Sequence, residues 1–218
     1  MWWSSPTSVH GLQKDETCDA RSRFANDTAR RGSRIGQSSV GKSHSVKIIN
    51  GRAETHGGAV LDILNEAIVN STALYDYKPR SAASMDAWFQ AKEAGRFPVL
   101  CAVDAAGNLL GFSSYGTFRS WPAYKYSVEH SVYVHKDHRG KGVGRALLSR
   151  LIEYARSQQY HLLVGGIDVA NAASIALHRT LGFTHAGTIQ QAGFKFGRWL
   201  DLGFYQLLLD TPSHPEDG

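Results

Sequence analysis

Residues 139–145 read Arg-Gly-Lys-Gly-Val-Gly-Arg, so Gly140, Gly142 and Gly144 alternate with two cations and end at a third. Glycine lets a backbone approach an anion closely, and the first NH groups of a helix have no partner inside it. An anion seated there gains from the helix dipole and from the side chains of Arg139, Lys141 and Arg145. A diphosphate fits such a loop, and so does an ordinary tight turn between strand and helix. A second glycine string, residues 36–43 (Gly-Gln-Ser-Ser-Val-Gly-Lys-Ser), satisfies the P-loop pattern letter for letter. Its context does not fit, because the mechanism needs an apolar strand before the loop and a helix after it. Here residues 29–35 are charged and residues 45–50 are strand-like.

The elements around the first loop follow from apolar spacing. Residues 128–135 form a strand that runs into the glycines, and Leu147, Leu148, Leu151, Tyr154 and Ala155 then mark one face of a strongly amphipathic helix. Upstream, residues 46–49 predict a short strand, and residues 59–69 a helix with Val60, Leu61, Leu64, Ala67 and Ile68 on one face. Residues 97–103 and 109–118 predict an antiparallel pair, because Gly107 and Asn108 suit a hairpin turn. Downstream, residues 161–168 predict a buried strand and residues 172–181 a helix closed by Gly182. Two further strands follow at residues 184–189 and 199–209.

The chain has 218 residues, of which 42% are hydrophobic, enough for one globular domain with a spare tail. Residues 1–44 are rich in Ser, Arg, Gly and Asp with no sustained period, and read as a disordered extension. A transit peptide would be acid-poor, whereas Asp15, Glu16, Asp19 and Asp27 lie here. A domain over residues 45–212 and a flexible tail over 213–218 complete the division. No apolar run approaches the ~20 residues of a membrane-spanning helix. A soluble cytoplasmic protein is the expectation, with no membrane partner. Cys18 and Cys101 are too few for a disulfide framework or a zinc cluster, so free thiols and no metal are expected. The net charge of +5 is spread without a Lys/Arg stripe on any helix, which argues against nucleic acid and suits an anionic cofactor.

Arg139, Gly142 and Gly144 match the pattern Gln/Arg-x-x-Gly-x-Gly/Ala of the GNAT acetyltransferase superfamily, and the chain resembles that superfamily over about residues 46–209. A second segment, Asn171, Ser174, Leu177, His178, Gly182 and Phe183, is similar to its other motif, with His178 where most members have Tyr. His178, the run from Glu129 to Val134 and the run from Ala192 to Trp199 resemble the phosphinothricin and methionine sulfone/sulfoximine acetyltransferase branch. The resemblance implies a mixed α/β (α+β) GNAT fold, a central, mostly antiparallel sheet with parted middle strands flanked by helices. It implies acetyl-CoA as co-substrate. Val132, Tyr133 and Val134 would lie along its pantetheine arm. Arg139, Gly140, Lys141, Gly142, Val143, Gly144 and Arg145 would surround its diphosphate, with Asn171 and Ser174 nearby. It also implies a homodimer, with residues 199–209 at or near the partner.

A small-molecule amine is the acceptor this implies. An alkylamine with a lysine-like pKa of ~10 is mostly ammonium near neutral pH, so a base must take a proton before attack. Glu129 is the candidate, beside the alternative of an ion-paired or solvent-facing carboxylate. His178 is the candidate acid for the leaving thiolate, beside the alternative of a packed helix histidine. Cys101 lies away from these motifs and reads as core. Arg119 and Tyr124, in an aromatic loop before the Glu129 strand, are candidates for the acceptor, Arg119 as a carboxylate clamp; a plain surface loop is the alternative. Arg119 and Lys195 together favour an acceptor with an anionic group over a polyamine, an aminoglycoside or a protein N-terminus. A non-catalytic acyl-CoA sensor would keep the glycine loop without needing Glu129 or His178.

Overall fold

Every residue of the run Val99–Val103 is buried, and its alternate side chains serve opposite layers: Val99 and Cys101 on one face, Leu100 and Ala102 on the other. That strand sits inside a sheet covered on both sides. The computed structural model of the chain describes residues 46–217. In chain order it contains β1 (Lys47–Asn50), α1 (Ala53–Asn70), α2 (Ala82–Ala94), β2 (Val99–Val103), β3 (Leu109–Thr117) and β4 (Ser127–Val134). There follow α3 (Val143–Ser157), β5 (Leu162–Asp168), α4 (Ala172–Thr180), β6 (Thr184–Lys195) and β7 (Arg198–Leu208). The strands form one sheet in the order β1-β2-β3-β4-β5-β7-β6. All neighbours are antiparallel except β4 and β5. This is the mixed, mostly antiparallel fold that the sequence implies.

One face carries α1 and α2, packed through Val60, Ile63, Leu64, Met85 and Phe89 onto Val99, Cys101 and Phe112. The other carries α3, whose Leu147, Leu148 and Leu151 are wholly buried against Val128, Leu163 and Phe183. The predicted hairpin is present: Gly107 takes φ +88°, and Asp104 Oδ1 accepts the NH groups of Ala106 and Asn108, both at 2.9 Å. Gly182, at φ +89°, closes α4 as expected.

Three elements differ from the sequence reading. Helix α2 was absent from it, because only Met85 and Phe89 of its 13 residues are buried and no apolar stripe exists; Ser81, whose hydroxyl accepts the Ser84 NH, is its local start signal. Helix α1 begins six residues before the predicted 59, running through Gly57 and Gly58. Strand β6 continues to Lys195 through two register shifts, which the period-two pattern alone does not reveal. The extension over residues 1–44, including the P-loop-like string, lies outside the described residues. Residues 213–217 carry no regular element, yet the Glu216 NH donates to Tyr126 Oη at 3.1 Å.

Lys195 corrects a further expectation. It is buried, and its ammonium donates to the carbonyls of Ile68 (2.7 Å), Ser71 (2.9 Å) and Leu74 (2.6 Å). These carbonyls lie at and just beyond the end of α1, so Lys195 ties the α1–α2 connection to β6 and has no proton left for an acceptor's anion. Burial lowers its pKa while the Asp76 charge opposes the shift. Replacing Lys195 by Met should orphan these carbonyls and destabilise the protein by on the order of 3 kcal/mol, read as a lower midpoint in urea.

Candidate active site

The pairing of β4 with β5 lasts three residues, Ser127↔Leu162, Val128↔Leu163 and Glu129↔Val164, and then stops. Beyond it, β4 stays paired with β3 as far as Val134 and β5 with β7 as far as Asp168. The two central strands therefore part, leaving the edge of β4 from His130 to Val134 without a strand partner on that side, its Val134 carbonyl taken by Arg139. Gly165 and Gly166 stand on β5 where the parting starts. A Cβ on Gly165 would lie 2.8 Å from His130 Cε1, and one on Gly166 would lie 3.3 Å from Glu129 Oε1. Successive strand residues face opposite sides, so the two glycines make room for His130 on one face and Glu129 on the other.

The gap opens into a cleft of about 1220 Å³. This exceeds the ~300–1,000 Å³ of a pocket for one small ligand, so two reactants fit together. Of the residues singled out from sequence, Glu129, Val132, Tyr133, Val134, Arg139, Gly140, Gly142, Gly144, Arg145, Asn171, Ser174 and His178 all line it. Lys141 and Val143 do not: Lys141 is exposed, and the Val143 side chain is in the core, leaving only its NH for a ligand. Gly142 caps α3 at φ +83° and Gly140 has φ +73°, so both adopt backbone forms that favour glycine. Arg145 has no ion-pair partner among the described residues. Arg139 is differently employed from the expectation: its guanidinium pairs with Glu66 and donates from Nε to the Val134 carbonyl at 3.1 Å, so it braces the loop.

Glu129 is half-buried, and burial raises its pKa while the Arg119 charge opposes the rise. Arg119 and Tyr124 do not line the cleft. They border a neighbouring depression of about 190 Å³ that shares Thr117 with it. The Arg119 guanidinium lies 4.4 Å from the centre of the Phe118 ring and donates to the Phe118 carbonyl at 3.0 Å, which holds it to its own loop. Asn171 caps α4 by accepting the Ser174 NH at 3.1 Å. His178 is buried, with Nδ1 2.7 Å from the Ser174 carbonyl and Nε2 2.9 Å from Nε2 of His130. Sequence reasoning missed His130, although it adjoins Glu129; alternation along the strand was the available signal. It also missed Gly166 and Lys92, both lining the cleft, Lys92 because it sits on the unread α2. Burial pushes the Cys101 thiol up to about 12, consistent with its reading as core. Among the described residues no cluster of three or more His, Cys, Asp or Glu side chains is placed to hold a metal, and no helix is long and apolar enough to cross a membrane.

Residues 64–183 match the acetyltransferase (GNAT) family. An L-methionine sulfoximine/L-methionine sulfone acetyltransferase of Pseudomonas paraeruginosa is 51% identical over 72% of this chain and 91% of its own. A structure described as that of a candidate acetyltransferase from Acinetobacter baylyi shares 56% identity, with a TM-score of 0.81 over 82% of this chain and all of that one. A phosphinothricin acetyltransferase of Sinorhizobium meliloti, solved in complex with acetyl-CoA, is 33% identical with a TM-score of 0.74, covering 78% of this chain and 92% of that one.

Gly142→Val should place a β-branched residue at a positive φ and distort the start of α3. Acetyl-CoA affinity measured by calorimetry is expected to fall on the order of tenfold or more, with the thermal midpoint lowered much less than by a core truncation.

Proposed function

The chain belongs to the GNAT acetyltransferase family, and on that premise we propose that it transfers the acetyl group of acetyl-CoA to the amino group of a small amino acid analogue of the methionine sulfone, methionine sulfoximine or phosphinothricin type. One observation carries the reading: Glu129 lies where β4 and β5 part, beside the free backbone edge that a pantetheine arm can pair with. In this account the diphosphate sits on the NH groups that open α3, near Arg145, and Asn171 and Ser174 border the arm.

The acceptor enters as an ammonium and gives one proton to Glu129 directly or through one water. The freed amine attacks the thioester carbonyl, and the oxyanion is met by free NH groups of β4 near Val132. The C–S bond then breaks, giving the amide and CoA with no acyl-enzyme. Arg119 remains the proposed clamp for the acceptor's carboxylate; it has no carboxylate partner among the described residues, and its charge already acts on Glu129. Tyr124 is proposed beside it. We place the reaction in the cytoplasm and take the active form as a homodimer. Ile189, Phe194 and Trp199, exposed along β6 and β7, supply an apolar surface for the partner.

The test is CoA-thiol release from acetyl-CoA with methionine sulfone, methionine sulfoximine, phosphinothricin, standard amino acids, a polyamine and an aminoglycoside. Turnover confined to the amino acid analogues is expected, and turnover only with the cationic amines would overturn the acceptor class. Glu129→Gln should lower kcat by ~10²- to 10⁴-fold with the KM for acetyl-CoA little changed. Glu129 acts as a base only when ionised, and its pKa is raised. Activity should therefore be lost as pH falls through a value above that of a free carboxylate, and Glu129→Gln should abolish that limb.

A further inference from the structure

His130 and His178 are buried with their rings edge to edge at the start of the gap, each also packed on Phe183 with ring centres 5.1 and 5.0 Å away. Their proton count follows from their partners together with burial, which favours the neutral ring. The Ser174 carbonyl only accepts, so the 2.7 Å contact fixes a proton on His178 Nδ1. A neutral imidazole carries one N–H, which leaves His178 Nε2 as a lone pair. The two Nε2 atoms stand 2.9 Å apart and need one proton between them, so it belongs to His130. His130 Nδ1 is then bare, a buried nitrogen without a hydrogen-bond partner among the described residues, while the backbone of Val164 beside the ring acts the other way and favours its charged form. Neither ring has a carboxylate partner among the described residues, and burial lowers both pKa values, that of His130 to about 3 with His178 as second cause.

The geometry points to His130 as a positioning residue that locks His178 in its Nδ1–H form and holds it against the cleft, so that the pair shapes the acetyl-CoA site and donates no proton to the leaving thiolate. Both protons of the pair are committed, one to the Ser174 carbonyl and one between the rings. Giving either away would leave an imidazolate, and a neutral imidazole is a much weaker acid than a thiol of pKa ~8.5. The reaction balances without a protein acid. Glu129 removes the first proton from the ammonium, and the C–N bond forms and leaves the nitrogen positive. As the C–S bond breaks, the second proton passes from nitrogen to sulfur. Gly165 is part of the device, because any side chain there would displace both rings. This replaces the sequence-based role of His178 as acid and rests on the acetyl-transfer reading above.

The direct test is ¹⁵N NMR of imidazole-labelled full-length protein at neutral pH. Two neutral rings of opposite tautomer are expected, Nδ1–H on His178 and Nε2–H on His130, and a protonated His178 or an Nε2–H there would overturn the inference whether or not any acceptor turns over. Kinetics supply the second arm. His130→Leu fills similar space without a donor and should raise the KM for acetyl-CoA on the order of tenfold, leaving the acceptor's KM unchanged. His130→Gln, whose amide nitrogen ends near the place of Nε2, should restore most of that loss. Equal effects of Leu and Gln would reduce His130 to packing, and an alkaline limb in kcat that shifts in His130→Leu would return the pair to acid catalysis.

Discussion

The loss of pairing between β4 and β5 after Glu129↔Val164 is the constraint on which the site depends. A sheet interior gives up ladder hydrogen bonds only when something else holds the strands in place. Here each parted strand keeps its outer neighbour, β3 for β4 and β7 for β5, so the opening costs no edge elsewhere. Gly165 and Gly166 allow it sterically, and the histidine pair with Phe183 fills one side of the wedge. The unpaired edge of β4 then lines the cleft, where the proposed function uses it as a binding surface.

The two faces of the gap divide the labour. On one face, half-burial keeps Glu129 a stronger base than a free carboxylate would be, while Arg119 limits the shift. Too deep a burial would leave it protonated at working pH; too little would leave it a weak base. On the other face burial favours the neutral form of both histidines, which under the proposed function leaves nothing charged beneath a negatively charged cofactor. The proposed seat of that charge is farther out, at the start of α3, where Arg139 is neutralised by Glu66 and Arg145 remains free of an ion pair among the described residues. Lys195 secures the α1–α2 connection, whose first residues line the cleft.

Much of this was legible in the residues. Helix α3 declares itself by its leucines and its glycine start, and the family resemblance grouped Glu129, Asn171 and His178, which all line one cleft. Roles were less legible than positions. Lys195 and Arg139 read as free cations because a sequence does not show the Ile68 carbonyl or Glu66 as their partners. His178 read as an acid because the sequence does not show His130, 48 residues away, with its Nε2 2.9 Å from that of His178. Helix α2 went unread since its apolar contacts come from two side chains, a pattern that tertiary packing supports and periodicity does not detect.

A crystal structure of the chain with acetyl-CoA tests the central claim most directly. The account predicts the pantetheine arm paired with β4 between Val132 and Val134, the diphosphate on the first NH groups of α3, and the thioester carbon in the gap facing Glu129, with β4 and β5 still parted beyond Val164. A cofactor seated away from that gap, or a thioester turned to the side opposite Glu129, would contradict it.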